Sequence, residues 1–206
     1  MSNNSNVEEE EIKIILLGDS GVGKTNLINT YIGKEFQEDF KSTISGSFAN
    51  KELEIEDKKY SLYLWDTAGQ ERFRGVTKLL FKGSQIVILV FDITNKDSFK
   101  SLNYWVEASK NIIEDDFIFG VAANKIDLFT KEEEETEQVT DEDIETFANS
   151  IGALHAKVSA KVNTVLFSLF MEELVKAFIN KGKKKRRDSL KLKKGNKGNK
   201  KGGCCN

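Results

Sequence analysis

Apolar and polar residues follow one another along this chain in two rhythms, one with a period of two and one with the period of a helix. Ile12 to Leu17 is a short apolar run with charge before it and glycine after it, which predicts a buried strand. From Thr25 to Ile32 the apolar positions Leu27, Ile28, Tyr31 and Ile32 recur at helical spacing. Phe48 to Glu56 and Tyr60 to Trp65 alternate apolar and polar residues on either side of Asp57-Lys58-Lys59 and predict an antiparallel pair. Ile86 to Phe91 and Phe117 to Ala122 are further buried-strand candidates, and between them Phe99, Leu102, Trp105, Val106 and Ile112 form a helical stripe within Ser98 to Ile113. Asp141 to Ile151 and Thr164 to Ile179 read as helices, with Ala153 to Val158 as a strand between them. Strands alternating with helices predict an α/β domain: a mainly parallel six-stranded sheet, one strand antiparallel, with helices on both faces.

The pattern divides the chain into an acidic N-terminal extension over 1–11, a folded body over 12–180 and a tail over 181–206. After Asn180 only Lys, Arg, Gly and Asn dominate, a composition that cannot build a core, so the tail is expected to be disordered. Charge sharpens this division. The first 180 residues hold 19 Lys and Arg against 32 Asp and Glu, whereas the tail holds 12 against one. An acidic body repels a phosphate backbone, so the basic tail does not imply nucleic acid. The longest apolar run falls far short of the roughly 20 residues that span a bilayer, and the polar start lacks a secretory pattern; the expected location is cytoplasmic. Cys204 and Cys205, adjacent and next to last, make a poor structural disulfide. Lys131 to Gln138, rich in glutamate, reads as a solvated loop, and His155 as a structural residue.

Four motifs carry chemistry. Gly18-Asp19-Ser20-Gly21-Val22-Gly23-Lys24-Thr25 matches G-x-x-x-x-G-K-[ST] and lies between a predicted strand and a predicted helix that Asn26 continues. Glycines let backbone N–H groups turn inward around phosphate oxygens, Lys24 supplies positive charge, and the Thr25 hydroxyl can hold Mg²⁺. Asn124-Lys125-Ile126-Asp127 follows a strand at the carboxyl edge, where open parallel sheets bind ligands. A carboxylate at Asp127 can accept both the ring N–H and the exocyclic amine of guanine; adenine offers no such pair. Ser159-Ala160-Lys161, after the next strand, could add a backbone N–H to the guanine oxygen. Trp65-Asp66-Thr67-Ala68-Gly69-Gln70-Glu71 ends another strand at the same edge. It places Asp66 to hold Mg²⁺ through water, Gly69 to approach the terminal phosphate and Gln70 to orient an attacking water.

In chain order, Gly18 to Thr25, Trp65 to Glu71 continuing into Arg72-Phe73, Asn124 to Asp127 and Ser159 to Lys161 resemble the motifs of small Ras-superfamily GTPases over residues 12–180. Leu89-Val90-Phe91-Asp92-Ile93-Thr94, Arg72-Phe73-Arg74 and the terminal Cys204-Cys205 pair look like the Rab branch. The resemblance implies a P-loop NTPase small G domain, a monomer that binds GTP or GDP with Mg²⁺ and hydrolyses GTP slowly in the service of vesicle trafficking. It makes Thr43 the first-switch threonine that binds Mg²⁺ and Phe36 the aromatic packing on guanine. It also implies an exchange factor, a GTPase-activating protein, effectors and a GDP-dissociation inhibitor or escort protein. Double geranylgeranylation of Cys204 and Cys205 would put the protein on the cytosolic face of an intracellular membrane, the basic tail adding attraction to anionic lipid. Two places depart from the Rab pattern: Ser45-Gly46-Ser47 replaces Gly-Val and an acidic residue, and Leu80 replaces a tyrosine that would complete an aromatic triad with Phe48 and Trp65. A guanine-nucleotide scaffold without turnover, or a Ras- or Rho-like switch, remains an alternative on the sequence.

Overall fold

A computed structural model describes residues 10–38, 46–67, 80–129 and 139–195, with side chains of the last segment as far as 185. The strands are β1 (Glu10–Leu17), β2 (Ser47–Ile55), β3 (Lys58–Asp66), β4 (Ile86–Asp92), β5 (Ile118–Asn124) and β6 (Leu154–Lys157). They form one sheet in the order β2-β3-β1-β4-β5-β6. Every neighbouring pair is parallel except β2 with β3, which is antiparallel. The α/β architecture expected from the alternation is therefore present, including the single reversed strand.

Period-two patterning sorts the core into two layers. On β1, Ile12, Ile14 and Leu16 join a cluster with Leu27, Phe170 and Leu174 on one face of the sheet. Ile15 and Leu17 join Trp105, Val106 and Ile144 on the other. The first face is covered by α1 (Lys24–Tyr31) and α5 (Val165–Gly195), the second by α3 (Leu102–Ile112) and α4 (Asp141–Ile151). β4, in the middle, is buried at all seven positions, as an uninterrupted apolar run requires when both faces are covered. At Gly120 on β5 the helix α5 packs directly on the backbone: a Cβ there would lie 2.8 Å from a Leu174 methyl and 3.0 Å from the Phe170 ring.

Three boundaries differ from the expectation. The β2–β3 turn is Glu56-Asp57 rather than 57–59; both residues have positive φ (51° and 60°), the two-residue geometry that matches strand twist. The helix expected from Ser98 begins instead at Lys96, because the Asn95 side chain accepts from the backbone N–H groups of Asp97 and Ser98. It is divided at Ser101 into α2 (Lys96–Lys100) and α3. The largest difference is the tail. The expected disorder from 181 is replaced by helix as far as Gly195, since Lys, Arg and Leu extend a helix well once a packed segment has nucleated it. Lys181 donates to the Phe117 carbonyl (2.9 Å), Lys183 pairs with Glu56 (3.4 Å) and Lys185 with Asp116, so the first turns of that extension rest on the body.

Candidate functional site

The carboxyl ends of β1, β3, β5 and β6 bring the four motifs together. Gly18 to Gly23 forms the loop from β1 into α1, and Gly23 caps the helix with φ 97°. A Cβ on Gly23 would stand 2.3 Å from the Asn124 amide nitrogen, so both the backbone angle and the space exclude a side chain. Lys24 is buried and its ammonium donates to the carbonyls of Gly18 (2.7 Å) and Asp19 (2.8 Å) across the loop. Burial pushes its pKa down to about 8, with Asp66 and Asp19 acting in the opposite sense. A buried cation at a helix N-terminus suits a phosphate chain, which would supply the compensating charge.

Asp66 ends β3 and is 1% exposed. Thr25 donates to its Oδ2 at 2.6 Å, while its Oδ1 is buried with no hydrogen-bond partner among the described residues. Burial raises the carboxyl pKa despite the Thr25 bond and the nearby Lys24. Two hard oxygen groups side by side, one a buried carboxylate with an unsatisfied oxygen, fit Mg²⁺, which takes one or two protein ligands and completes its shell with phosphate and water. Thr67 is turned away from this point and donates to the Leu16 carbonyl at 2.7 Å.

The other end of the site is built around Asn124. Its amide donates to the Val22 carbonyl (2.8 Å), and its oxygen accepts from the Ala160 N–H (3.3 Å), so one side chain joins the phosphate loop to the Ser159-Ala160-Lys161 segment. The Ser159 hydroxyl donates to Asp127 at 2.5 Å and also accepts from the backbone N–H groups of Lys161 and Val162. This orients the Asp127 carboxylate beside the loop that could donate to a purine oxygen. Lys125 adopts φ 67° and pairs with Asp92 at 2.6 Å. Lys161 pairs with Glu38 (2.8 Å) and lies 5.9 Å from the Phe36 ring centroid, which brings the 36–38 segment to the same wall. Asn26 holds that segment from the other side by donating to the Gln37 carbonyl at 2.8 Å; its side chain is spent there rather than on the loop.

Sequence reasoning missed the brace on Asp19. Its carboxylate accepts from the Ser101 hydroxyl and from the Trp105 indole N–H (3.2 Å), fastening the phosphate loop to α3. The signal was available, because a buried indole needs an acceptor, yet Trp105 read only as core. Thr43, Gly69, Gln70, the 131–138 insertion, Cys204 and Cys205 lie outside the described residues. Of the two departures from the Rab pattern, Gly46 and Leu80 prove to be neighbours: a Cβ at 46 would lie 2.8 Å from a Leu80 methyl. Phe48, 53% exposed, stacks on Tyr63 (5.7 Å) and leans on Trp65 (5.4 Å).

A sequence model described as the Ras family matches residues 13–179, nearly the whole folded body. The chain belongs to the Ras family. Similar proteins place this GTPase in the Rab branch. Ras-related protein RabJ of Dictyostelium discoideum is 39% identical over 171 residues, covering 83% of this chain but 65% of its own length. The GTP-binding protein yptV5 of Volvox carteri is 41% identical over 157 residues, covering 73% and 74% respectively. Ras-related protein Rab-21 of Homo sapiens is 37% identical over 160 residues, covering 78% and 69%. The chain thus spans just under two thirds of RabJ.

Proposed function

We propose that this GTPase is a membrane-associated switch that binds GTP and GDP with Mg²⁺, hydrolyses GTP slowly and regulates vesicle trafficking. The observation that carries the nucleotide part is the convergence of the Gly18–Thr25 loop, Asp66, Asp127 and the 159–161 segment on one edge of the sheet, held together by Asn124. Backbone N–H groups from Ser20 to Thr25, with Asn26 next in the helix, and the Lys24 ammonium take the phosphates. Asp127 takes the guanine N–H groups and the Ala160 N–H the guanine oxygen, with Phe36, Lys125 and Lys161 against the base. Thr25, Asp66 and Thr43 would hold the Mg²⁺, which supplies charge neutralisation on the phosphates. Gln70 orients the attacking water, Gly69 approaches the terminal phosphate, and Lys24 stabilises charge as the bond breaks.

By resemblance to the family, an activating partner supplies the arginine that accelerates hydrolysis, a contribution of about 10³ to 10⁵ in rate. Loss of the terminal phosphate frees the segments bearing Thr43 and Gln70, and partner affinity changes with it. Exchange factors, effectors and a GDP-dissociation inhibitor or escort protein follow from the family; the exposed Phe48–Tyr63–Trp65 face is the surface an effector would read. Lipid chains on Cys204 and Cys205 with the basic tail hold the protein at the cytosolic face. No helix among the described residues is long and apolar enough to cross a membrane.

Single-turnover hydrolysis of GTP, with and without Gln70→Leu, tests the enzymatic core alongside competition between guanine and adenine nucleotides. Guanine preference and a slower Gln70→Leu variant are expected. Tighter binding of ATP, or equal and negligible hydrolysis by both proteins in the presence of an activating partner, would overturn the reading.

A further inference from the structure

Three fastenings hold the short stretch that follows α1. The Phe36 ring packs against the core cluster that includes Leu27 and Ile28. Gln37 is held through both of its backbone groups by one side chain: the Asn26 amide donates to its carbonyl (2.8 Å), and its N–H donates to the Asn26 oxygen (3.4 Å). Glu38 pairs with Lys161 at 2.8 Å, across 123 positions of sequence. The side chains of this pair are 77% and 47% exposed, and an ion pair so open to water adds little to the stability of a fold. What it does is join two walls from distant parts of the chain, the segment bearing Phe36 and the 159–161 loop bearing the Ala160 N–H. The same ammonium is held above its ordinary pKa by Glu38 first, with Asp127 adding to the effect. A Lys161 released by Glu38 therefore has as its next acceptor the carboxylate assigned above to guanine.

We propose that residues 36–38 form a strap across the base end of the nucleotide site, with Glu38 and Asn26 as its positioning residues, and that the Glu38–Lys161 pair governs how fast guanine nucleotide leaves. The inference rests on the guanine-nucleotide reading given above and adds to it a control on release. A base between the two walls leaves only when they part. The ion pair is whole before that step and broken after it, so all of its modest strength enters the barrier to release. For an exposed pair this corresponds to a change of roughly twofold to fivefold in rate. The two bonds from Asn26 engage backbone groups and correspond to roughly threefold to tenfold. Neither residue touches the base in this scheme; each acts by keeping Phe36 and Lys161 in place.

The test uses the full-length chain loaded with fluorescent GDP and Mg²⁺ and chased with excess GDP. Glu38→Gln should release the nucleotide about twofold to fivefold faster than the parent, and Asn26→Ala about threefold to tenfold faster. Raising salt to about 1 M, where the screening length falls to about 3 Å, should bring the parent close to Glu38→Gln, a convergence that a loss of packing would not produce. Glu38→Lys combined with Lys161→Glu rebuilds the pair in reverse. That double variant should release at least about threefold more slowly than the product of the two single effects predicts. Release at the parent's rate in either Glu38→Gln or Asn26→Ala, a gap that salt leaves unchanged, or additive effects in the reversed pair overturns the strap and leaves the guanine site standing. A chain that takes up no guanine nucleotide overturns the guanine site, and the strap with it.

Discussion

Replacing Asn124 by alanine should do more damage than the loss of one surface-edge side chain would suggest. The residue is 1% exposed and supplies a donor to Val22 and an acceptor to Ala160, so truncation strands two backbone groups in the interior. Each costs about 1–3 kcal/mol when left unpaired, and a water admitted to the gap recovers part, so a loss of about 2–4 kcal/mol is expected. Asn124→Asp should be no better, because it turns an oxygen toward the Val22 carbonyl. Urea unfolding at fixed free GDP and Mg²⁺ measures the loss, provided the dissociation constant is measured for each variant, since ligand binding adds its own stabilisation. Gly23→Ala gives an independent check. In the parent it combines positive-φ strain of about 1–2 kcal/mol with a collision against the Asn124 amide; in Asn124→Ala the collision is gone and only the strain remains. Equal costs of Gly23→Ala in both backgrounds would refute the claim that these residues meet, and an Asn124→Asp protein as stable as the parent would refute the bonding scheme.

Tyr31→Phe should leave stability unchanged or raise it by up to about 1 kcal/mol, because the Tyr31 hydroxyl is buried with no hydrogen-bond partner among the described residues; destabilisation by more than that in urea would reveal a role for the hydroxyl. Burial also pushes the Tyr31 pKa up to about 12, so the unfolded chain releases this proton first and the parent loses stability as pH rises from about 10 to 12; the variant should lack that contribution, and identical alkaline profiles would contradict it. Gly120→Ala should destabilise by about 1–2 kcal/mol, lowering the midpoint of thermal unfolding by a few degrees, since Leu174 and Phe170 occupy the added methyl's space; an unchanged midpoint would show that α5 can shift. Trp105→Phe removes the donor to Asp19 together with one ring of the buried indole, and should speed GDP release severalfold in a fluorescent-nucleotide chase; an unchanged rate would show that the brace does not hold the loop.

Much of this was legible before any coordinates. The alternation of strands with helices and the unbroken apolar run of β4 announced a sheet covered on both faces, because burial on both sides leaves no polar position to interrupt the run. The phosphate loop and the Asn124–Asp127 motif were readable because their spacing is local. What joins them was not, since the Asn124–Val22 bond spans 102 positions and the Asp19–Trp105 bond 86, and no one-dimensional pattern records such pairs. The helical course of the tail was missed for a different reason: polar composition reports what cannot form a core, not what can prolong a helix already begun. Likewise Ser45-Gly46-Ser47 and Leu80 read as two separate departures, although Gly46 and Leu80 share one space.

The brace between Asp19 and α3 has a bearing on how nucleotide leaves. A loop gripped by Trp105 and Ser101 on one flank and by Asn124 on the other behaves as a fixed frame. Its amides stay aimed whether or not a ligand is seated, so little ordering entropy is spent at each capture. A protein that hastens release would then gain most by acting on Asp66 or on the base wall near Phe36 rather than by bending the cradle itself.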